Sequence, residues 1–306
     1  MKKILVATEK PFAPVAVKGI REVTDAAGYE LVLLEKYTSK QQLLDAVADA
    51  DAIIIRSDIV DAEVMAAANN LKIVVRAGAG YDNVDLAAAT ANNICVMNTP
   101  GQNANAVAEL VFGMLVFMAR GMFSGAAGCE LKGRTIGIHA FGNVGRNVAR
   151  IAKGFGMNVA VYDAFVSKES VEEAGCIWCE TPEKLYAASD VVSLHLPATA
   201  ETKQSINKAL LMQMPKPAFL VNTARKEVIN EPELLEVMAE RPDFKYVTDI
   251  APAAAEEFAK FEGRYFVTPK KMGAQTAEAN INAGIAAAKQ IVAYFEEGCE
   301  RFRLNK

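Results

Sequence analysis

The chain has 306 residues, 52% of them hydrophobic, which is enough for one large or two medium cores and excludes a disordered chain. Its formal charge of −4 leaves no basic excess, so the whole-protein field favours neither nucleic acid nor an anionic membrane surface. The apolar run of MKKILVATEKP stops after Ala7, short of a signal-peptide core, and no stretch of about 18 uninterrupted apolar residues exists, so a cytoplasmic protein is expected.

In the first hundred residues the β-rich runs KKILVAT, YELVLLE, ADAIIIRS, LKIVVRAG and NICVMNT alternate with helical segments such as QQLLDAVADA. Alternation of this kind predicts βαβ units and a parallel sheet. Cations gather at the carboxyl ends of these runs: Lys10, then Arg56 beside Ser57, then Arg76 at the start of RAGAG. They could converge on one anionic group, and the backbone of the loop Ala77, Gly78 and Ala79 can form a concave anion site.

After Pro100 the rhythm breaks for one long helix, NANAVAELVFGMLVFMAR, apolar around most of its circumference. Such a helix must be covered by the sheet, by a second subunit, or by both. A second alternating series follows, RTIGIHAFG, MNVAVYDA, GCIWCE, DVVSLHLP, AFLVNTA, FKYVTDIA and RYFVTP, and the chain closes with the alanine-rich segment TAEANINAGIAAAKQIVAYFEEG. The fold class predicted is α/β, with two doubly wound parallel-sheet domains and ligands in the crevice outside the carboxyl ends of the strands.

Five cysteines, Cys95, Cys129, Cys176, Cys179 and Cys299, form an odd and scattered set, which points to reduced thiols. GCIWCE has redox spacing, but as a strand it places Cys176 and Trp178 on one face and Ile177 and Cys179 on the other. These read as buried structural cysteines, and no metal site is expected.

The stretch IGIHAFGNVGR, residues 136–146, is almost the dinucleotide fingerprint G-x-G-x-x-G, with Ala140 at the first glycine. A strand precedes it, a helix follows, and the next strand ends at Asp163 about twenty residues on, as the fingerprint requires. Gly142 would admit the pyrophosphate, Gly145 would let helix and strand pack closely, and the helix N-terminus would supply partial positive charge. Asp163 would accept from ribose hydroxyls and repel a 2′-phosphate, which favours NAD over NADP. Alanine at position 140 is compatible with the turn at negative φ. In NTAR, Arg225 ends a strand, and its planar fork suits a 2-hydroxy or 2-oxo carboxylate.

With these motifs the chain resembles the D-2-hydroxyacid dehydrogenases, and within them the short-form branch acting on D-3-phosphoglycerate. The carrying segments are VRAGAGYDNVD, VMNTPGQNANAVAELVFGM, the dinucleotide loop, SLHLPATAET, VNTARKEVI and TPKKMGAQTAEAN, in family order over essentially the whole chain. The resemblance implies a flavodoxin-like substrate domain over 1–98, completed by 275–306, and a Rossmann NAD-binding domain over 99–274. It implies cofactor contacts at Phe141, Gly142, Asn143, Val144, Gly145, Asp163, His195, Leu196, Pro197, Thr202, Thr223, Ala224 and Asp249. Arg225 becomes the substrate arginine, although Lys226 stands where the family has glycine, and Arg56, Ser57, Arg76 and the loop 77–79 would hold the phosphate. A homodimer joined through the long helix is implied, with no nucleic-acid or membrane partner. Because the chain ends after the closing helix, a serine-binding regulatory domain is not expected. Reduction of glyoxylate or hydroxypyruvate is an alternative within the family, and an NAD-sensing corepressor is a remoter one.

Oxidising a 2-hydroxy acid needs a group that takes the hydroxyl proton, and most of the family uses a histidine held by a glutamate. His139 lies inside a strand and reads as core, while His195 reads as a wall of the cofactor site. The family's T-P-H-I-G-A becomes T-P-K-K-M-G-A, and counting back from Gly273 puts Lys271 at the histidine's place. The glutamate is missing too: after Asp249 the chain reads IAPAAAEEF, with Glu256 and Glu257 displaced. A lysine has no tautomer to fix, so both losses are chemically consistent, and Lys271 is the expected general acid/base. An ordinary lysine pKa of about 10.4 keeps the amine charged at neutral pH. Partial burial and the charges of Lys270 and Arg225 are expected to lower it, with substrate anions opposing, and hydroxy-acid oxidation should have an alkaline optimum.

Overall fold

A computed structural model describes residues 1–305, in two compact units: Met1–Asn103 with the C-terminal segment from Gln275, and Ala104–Ala274. The first unit holds strands β1 (Lys3–Thr8), β2 (Glu30–Glu35), β3 (Ala52–Ile55), β4 (Ile73–Arg76) and β5 (Cys95–Asn98). Their order is β2-β1-β3-β4-β5, all parallel, which is the flavodoxin-like arrangement. Parallel sheets covered on both faces need strands apolar on both sides, and β1 shows how this works. Ile4 and Val6 pack with Phe12 and with Ala283 and Ala287 of the last helix (Ala277–Glu297), while Leu5 and Ala7 pack with Leu43, Val47 and Val64 on the other face.

The second unit holds β6 (Thr135–His139), β7 (Asn158–Tyr162), β8 (Ile177–Trp178), β9 (Val191–Leu194), β10 (Phe219–Asn222), β11 (Lys245–Thr248) and β12 (Tyr265–Val267). The order β12-β11-β10-β9-β6-β7-β8 is the Rossmann order with one strand added, again parallel throughout. The edge strand β8 has only two residues, and Ile177 is 58% exposed on it. Cys176 and Trp178 join one core and Cys179 the other, as the alternation predicts, and all five cysteines are free thiols.

The apolar helix Ala104–Ala119 is covered largely by its own unit. Ala108, Val111, Phe112, Leu115 and Met118 pack with Ile136, Val161 and Val247 of the sheet and with Val148 and Ala152 of the helix Asn143–Gly154. Asn105, Glu109 and Gly113 are the exposed residues of its first three turns.

Candidate active site

The carboxyl ends of five strands in the second unit lie in register. His139 pairs with Leu194, Leu194 with Asn222, Asn222 with Thr248, and Thr248 with Val267. The residues that follow this row are Ala140, His195, Thr223, Asp249 and Thr268, so one sheet end gathers most of the expected contacts. The reversal of strand order falls between β6 and β9, where ligands of doubly wound sheets bind.

At β6 the chain turns through Ala140 and Phe141 into the helix Asn143–Gly154, with Gly142 as its N-cap. The alanine does not sit at negative φ as expected: Ala140 has φ +80°, a left-handed conformation that L-residues adopt at a cost. Its N–H continues the ladder to Tyr162 O at 2.9 Å while its carbonyl lies against Gly145, where a Cβ would come within 2.3 Å of that oxygen. Gly145 is thus required for the close packing of helix and strand. A Cβ on Gly142 would meet nothing within 4 Å, so the helix N-terminus opens onto free space suited to a phosphate. Phe141 shapes the loop from underneath: its ring is buried below the Arg146 guanidinium, and its N–H donates to Asp163 Oδ2 at 2.6 Å. Asp163 Oδ1 also accepts from Phe165 and Val166 N–H at 2.7 and 3.1 Å. Asn143 is exposed at the first helical turn, and Val144 packs partly on the core.

Further along the sheet end, Asn222 organises its loop by accepting from Ala224 N–H at 2.9 Å and donating to Arg225 O at 3.0 Å. Arg225 is exposed, its Nη1 donates to Ala224 O at 2.8 Å, and it has no ion pair among the described residues. Thr223 Oγ1 and Asp249 Oδ1 are both buried without a hydrogen-bond partner at the ends of adjacent strands. Orphaned buried polar atoms of this kind mark where a ligand completes the bonding, so this sheet end fits a dinucleotide. Leu196 is core, Pro197 is exposed, and Thr202 staples the turn after them by donating to Pro197 O at 2.5 Å.

The two histidines meet here. His195 N–H donates to His139 O at 3.0 Å, Ser193 Oγ and His195 Nε2 are 2.9 Å apart, and His139 Nδ1 lies 3.3 Å from the hydroxyl of Tyr186. Burial lowers His139 to about 4, opposed by Asp163, and burial followed by the neighbouring His139 lowers His195 to about 3. Both are neutral imidazoles of the strand ends. The expected partial burial of Lys271 is not found: in the turn after Thr268, Lys270 and Lys271 are exposed.

In the first unit, the charge of Arg56 acts on Arg76. Burial and then Arg56 lower the Arg76 pKa against Asp82, while burial lowers Arg56 against Asp58. The Arg76 guanidinium folds over Gly78, whose φ is +149° and where a Cβ would stand 1.4 Å from Nη1, and its Nε is buried without a partner. Arg56 is more fully engaged than the sequence suggests. Nη1 donates to the carbonyls of Lys10 at 2.9 Å and Pro11 at 3.2 Å, and Nη2 to Asn280 Oδ1 at 2.7 Å. The loop is also less open than expected, because Ala77 N–H is bonded to Ile55 O at 2.8 Å and is not free for a ligand. Ser57 and Ala79 are exposed. Sequence reasoning missed Asn222, Asn280 and the buried Asp58, which accepts from Glu9 N–H at 2.8 Å and Tyr37 OH at 2.9 Å; single asparagines and aspartates carry no local signal of such long-range roles.

Residues 113–269 match the family model described as D-isomer specific 2-hydroxyacid dehydrogenase, NAD binding domain. Over 100% of its length the chain is similar, at 48% identity and a TM-score of 0.85, to 99% of an NAD+-bound 3-phosphoglycerate dehydrogenase of Entamoeba histolytica. It is 35% identical over 272 residues to the D-3-phosphoglycerate dehydrogenase of Archaeoglobus fulgidus, covering 83% of this chain and 51% of that one. It is 34% identical over 281 residues to the hydroxypyruvate reductase of Thermotoga maritima, covering 86% and 90% respectively. The chain spans about half the length of the first curated phosphoglycerate dehydrogenases it matches, 51% and 57%. A glycine loop at the topological switch point, an acid closing the next strand and a whole-chain likeness converge on one conclusion: this chain belongs to the D-isomer-specific 2-hydroxyacid dehydrogenase family and carries its NAD-binding domain.

Proposed function

We propose that the protein oxidises D-3-phosphoglycerate to 3-phosphohydroxypyruvate with NAD, the first step of serine biosynthesis. The observation that carries this reading is the gathering, at one sheet end, of the dinucleotide loop, the exposed guanidinium of Arg225 and the turn bearing Lys271, while both histidines are engaged with the strand ends. In this reading NAD supplies the acceptor for the hydride that leaves C2. The amides of the loop and the N-terminus of Asn143–Gly154 hold the pyrophosphate, and Asp163 takes the ribose hydroxyls. Arg225 binds the substrate carboxylate through its fork and polarises the oxygen on C2. Lys271, as the neutral amine, accepts the hydroxyl proton and returns it in the reverse direction. Arg76 and the remaining donors of Arg56, with Ser57 and the amides after Ala77, receive the phosphate. The reading includes a cytoplasmic homodimer joined along Ala104–Ala119.

A second reading, reduction of glyoxylate or hydroxypyruvate, is favoured by the three protein acceptors already bound to Arg56, which leave it fewer donors for a phosphate. The two separate in one assay. NADH formation at alkaline pH should be far faster with D-3-phosphoglycerate than with D-glycerate. Equal use of both, together with rapid glyoxylate reduction, would replace the first reading by the second.

A further inference from the structure

The turn that presents Lys271 is fastened by one buried carboxylate. Asp249 directly follows β11 and is 1% exposed, and its Oδ2 accepts the N–H groups of Met272 at 3.1 Å and Gly273 at 2.8 Å. The packing there is tight: a Cβ on Gly273 would stand 3.1 Å both from that oxygen and from Cγ2 of Val107 in the helix Ala104–Ala119. On the other side of the turn, Thr268 N–H donates to Thr248 O at 3.1 Å and Thr268 Oγ1 donates to Lys270 O at 2.7 Å. The residues flanking Lys271 are therefore anchored at both ends while Lys271 and Met272 stay exposed. The two amide donors on one oxygen offset part of the cost of burying the carboxylate, though burial still prevails and raises the Asp249 pKa.

We propose that Asp249 is a positioning residue for Lys271, fixing the backbone of its turn so that the amine is delivered to one place. The proposal rests on the reading of Lys271 as the acid/base. In the histidine–glutamate arrangement of the family, a carboxylate orients the proton-carrying ring directly. Here the carboxylate acts one step back, on the main chain, because a lysine needs its base of attachment fixed and not its tautomer. A flexible four-carbon stem on a loose turn would reach the reacting oxygen only rarely, and displacement of a catalytic group by about 1 Å can cost about a hundredfold in rate.

The test combines amide hydrogen exchange on the cofactor-free protein with turnover. Asp249→Ala should remove protection from a peptide spanning 270–274 while the rest of Ala104–Ala274 exchanges as before. Asp249→Asn keeps a side-chain oxygen for both amides and should keep the protection, which also leaves the test decisive if the alanine variant unfolds. In turnover, Asp249→Ala should lower kcat about a hundredfold, but added to Lys271→Ala it should lower kcat by no more than about twofold further, because the amine it would misplace is already gone. Unchanged exchange in Asp249→Ala, lost protection in Asp249→Asn, or losses that multiply in the double variant would each overturn the proposal. Near-normal turnover in Lys271→Ala alone would sink the acid/base reading instead, and the exchange measurement would still decide whether Asp249 holds the turn.

Discussion

Asp163 Oδ2 accepts the backbone N–H of Phe141 at 2.6 Å, so the acid assigned to the ribose also ties the end of β7 to the dinucleotide loop. Asp163→Ala should therefore do two things. It should weaken NAD binding at least tenfold, and it should destabilise the cofactor-free protein by about 1 kcal/mol, since the part-buried Phe141 amide loses its acceptor. Denaturant unfolding without cofactor, beside an NAD titration, checks both. Weaker binding with unchanged stability would show that the loop does not depend on this bond.

Ala140 holds φ +80° in the same loop, where the absence of a Cβ is favourable. Ala140→Gly should be neutral or stabilising by about 1 kcal/mol, the reverse of the usual sign for that exchange. Ala140→Val, with a branched Cβ in a left-handed conformation, should destabilise. Thermal unfolding of the two variants reads the difference directly, and a glycine variant less stable than the valine one would contradict the assigned conformation.

His139 and His195 titrate at about 4 and about 3 in the fold, chiefly because of burial. An unfolded imidazole titrates near 6.5, so below about that pH the unfolded chain binds protons that the folded one refuses. The stability they contribute is complete above about pH 6.5 and is lost as pH falls toward about 4. Denaturant midpoints measured from neutral pH down through that window should fall more steeply for the wild type than for His139→Gln. Parallel acid limbs would show that this histidine does not carry the effect.

The strands were legible because parallel sheets buried on both faces need unbroken apolar runs, as in AIII of β3 and TIGIH of β6. The loop, its acid and Arg225 were legible because turn, charge and fork chemistry are local properties of short motifs. The sign of φ at Ala140 was not legible, since it follows from the ladder bond to Tyr162 and the approach of Gly145, which no tripeptide encodes. Nor was the engagement of Arg56 by Asn280, a partner 224 residues away. The exposure of Lys271 was missed for a similar reason: its turn is held by Asp249 through bonds that span 23 and 24 residues of sequence.

Arg76 Nη1 donates to Ala77 O at 3.4 Å, against the three protein acceptors of Arg56, which makes Arg76 the freer of the two arginines for a phosphate. Arg76→Gln should raise KM for D-3-phosphoglycerate at least tenfold, about 1.4 kcal/mol or more, and leave KM for D-glycerate within about threefold. Equal effects on the two acids would remove Arg76 from phosphate recognition.

The most direct measurement is the initial rate of NADH formation from D-3-phosphoglycerate across neutral to strongly alkaline pH, for the wild type and for Lys271→Ala. The wild-type rate should climb with pH as the amine loses its proton, and the variant should be slower by about 10²–10⁴-fold, the range of a lost general base. A variant that turns over at nearly the wild-type rate would contradict the assignment of the proton to Lys271.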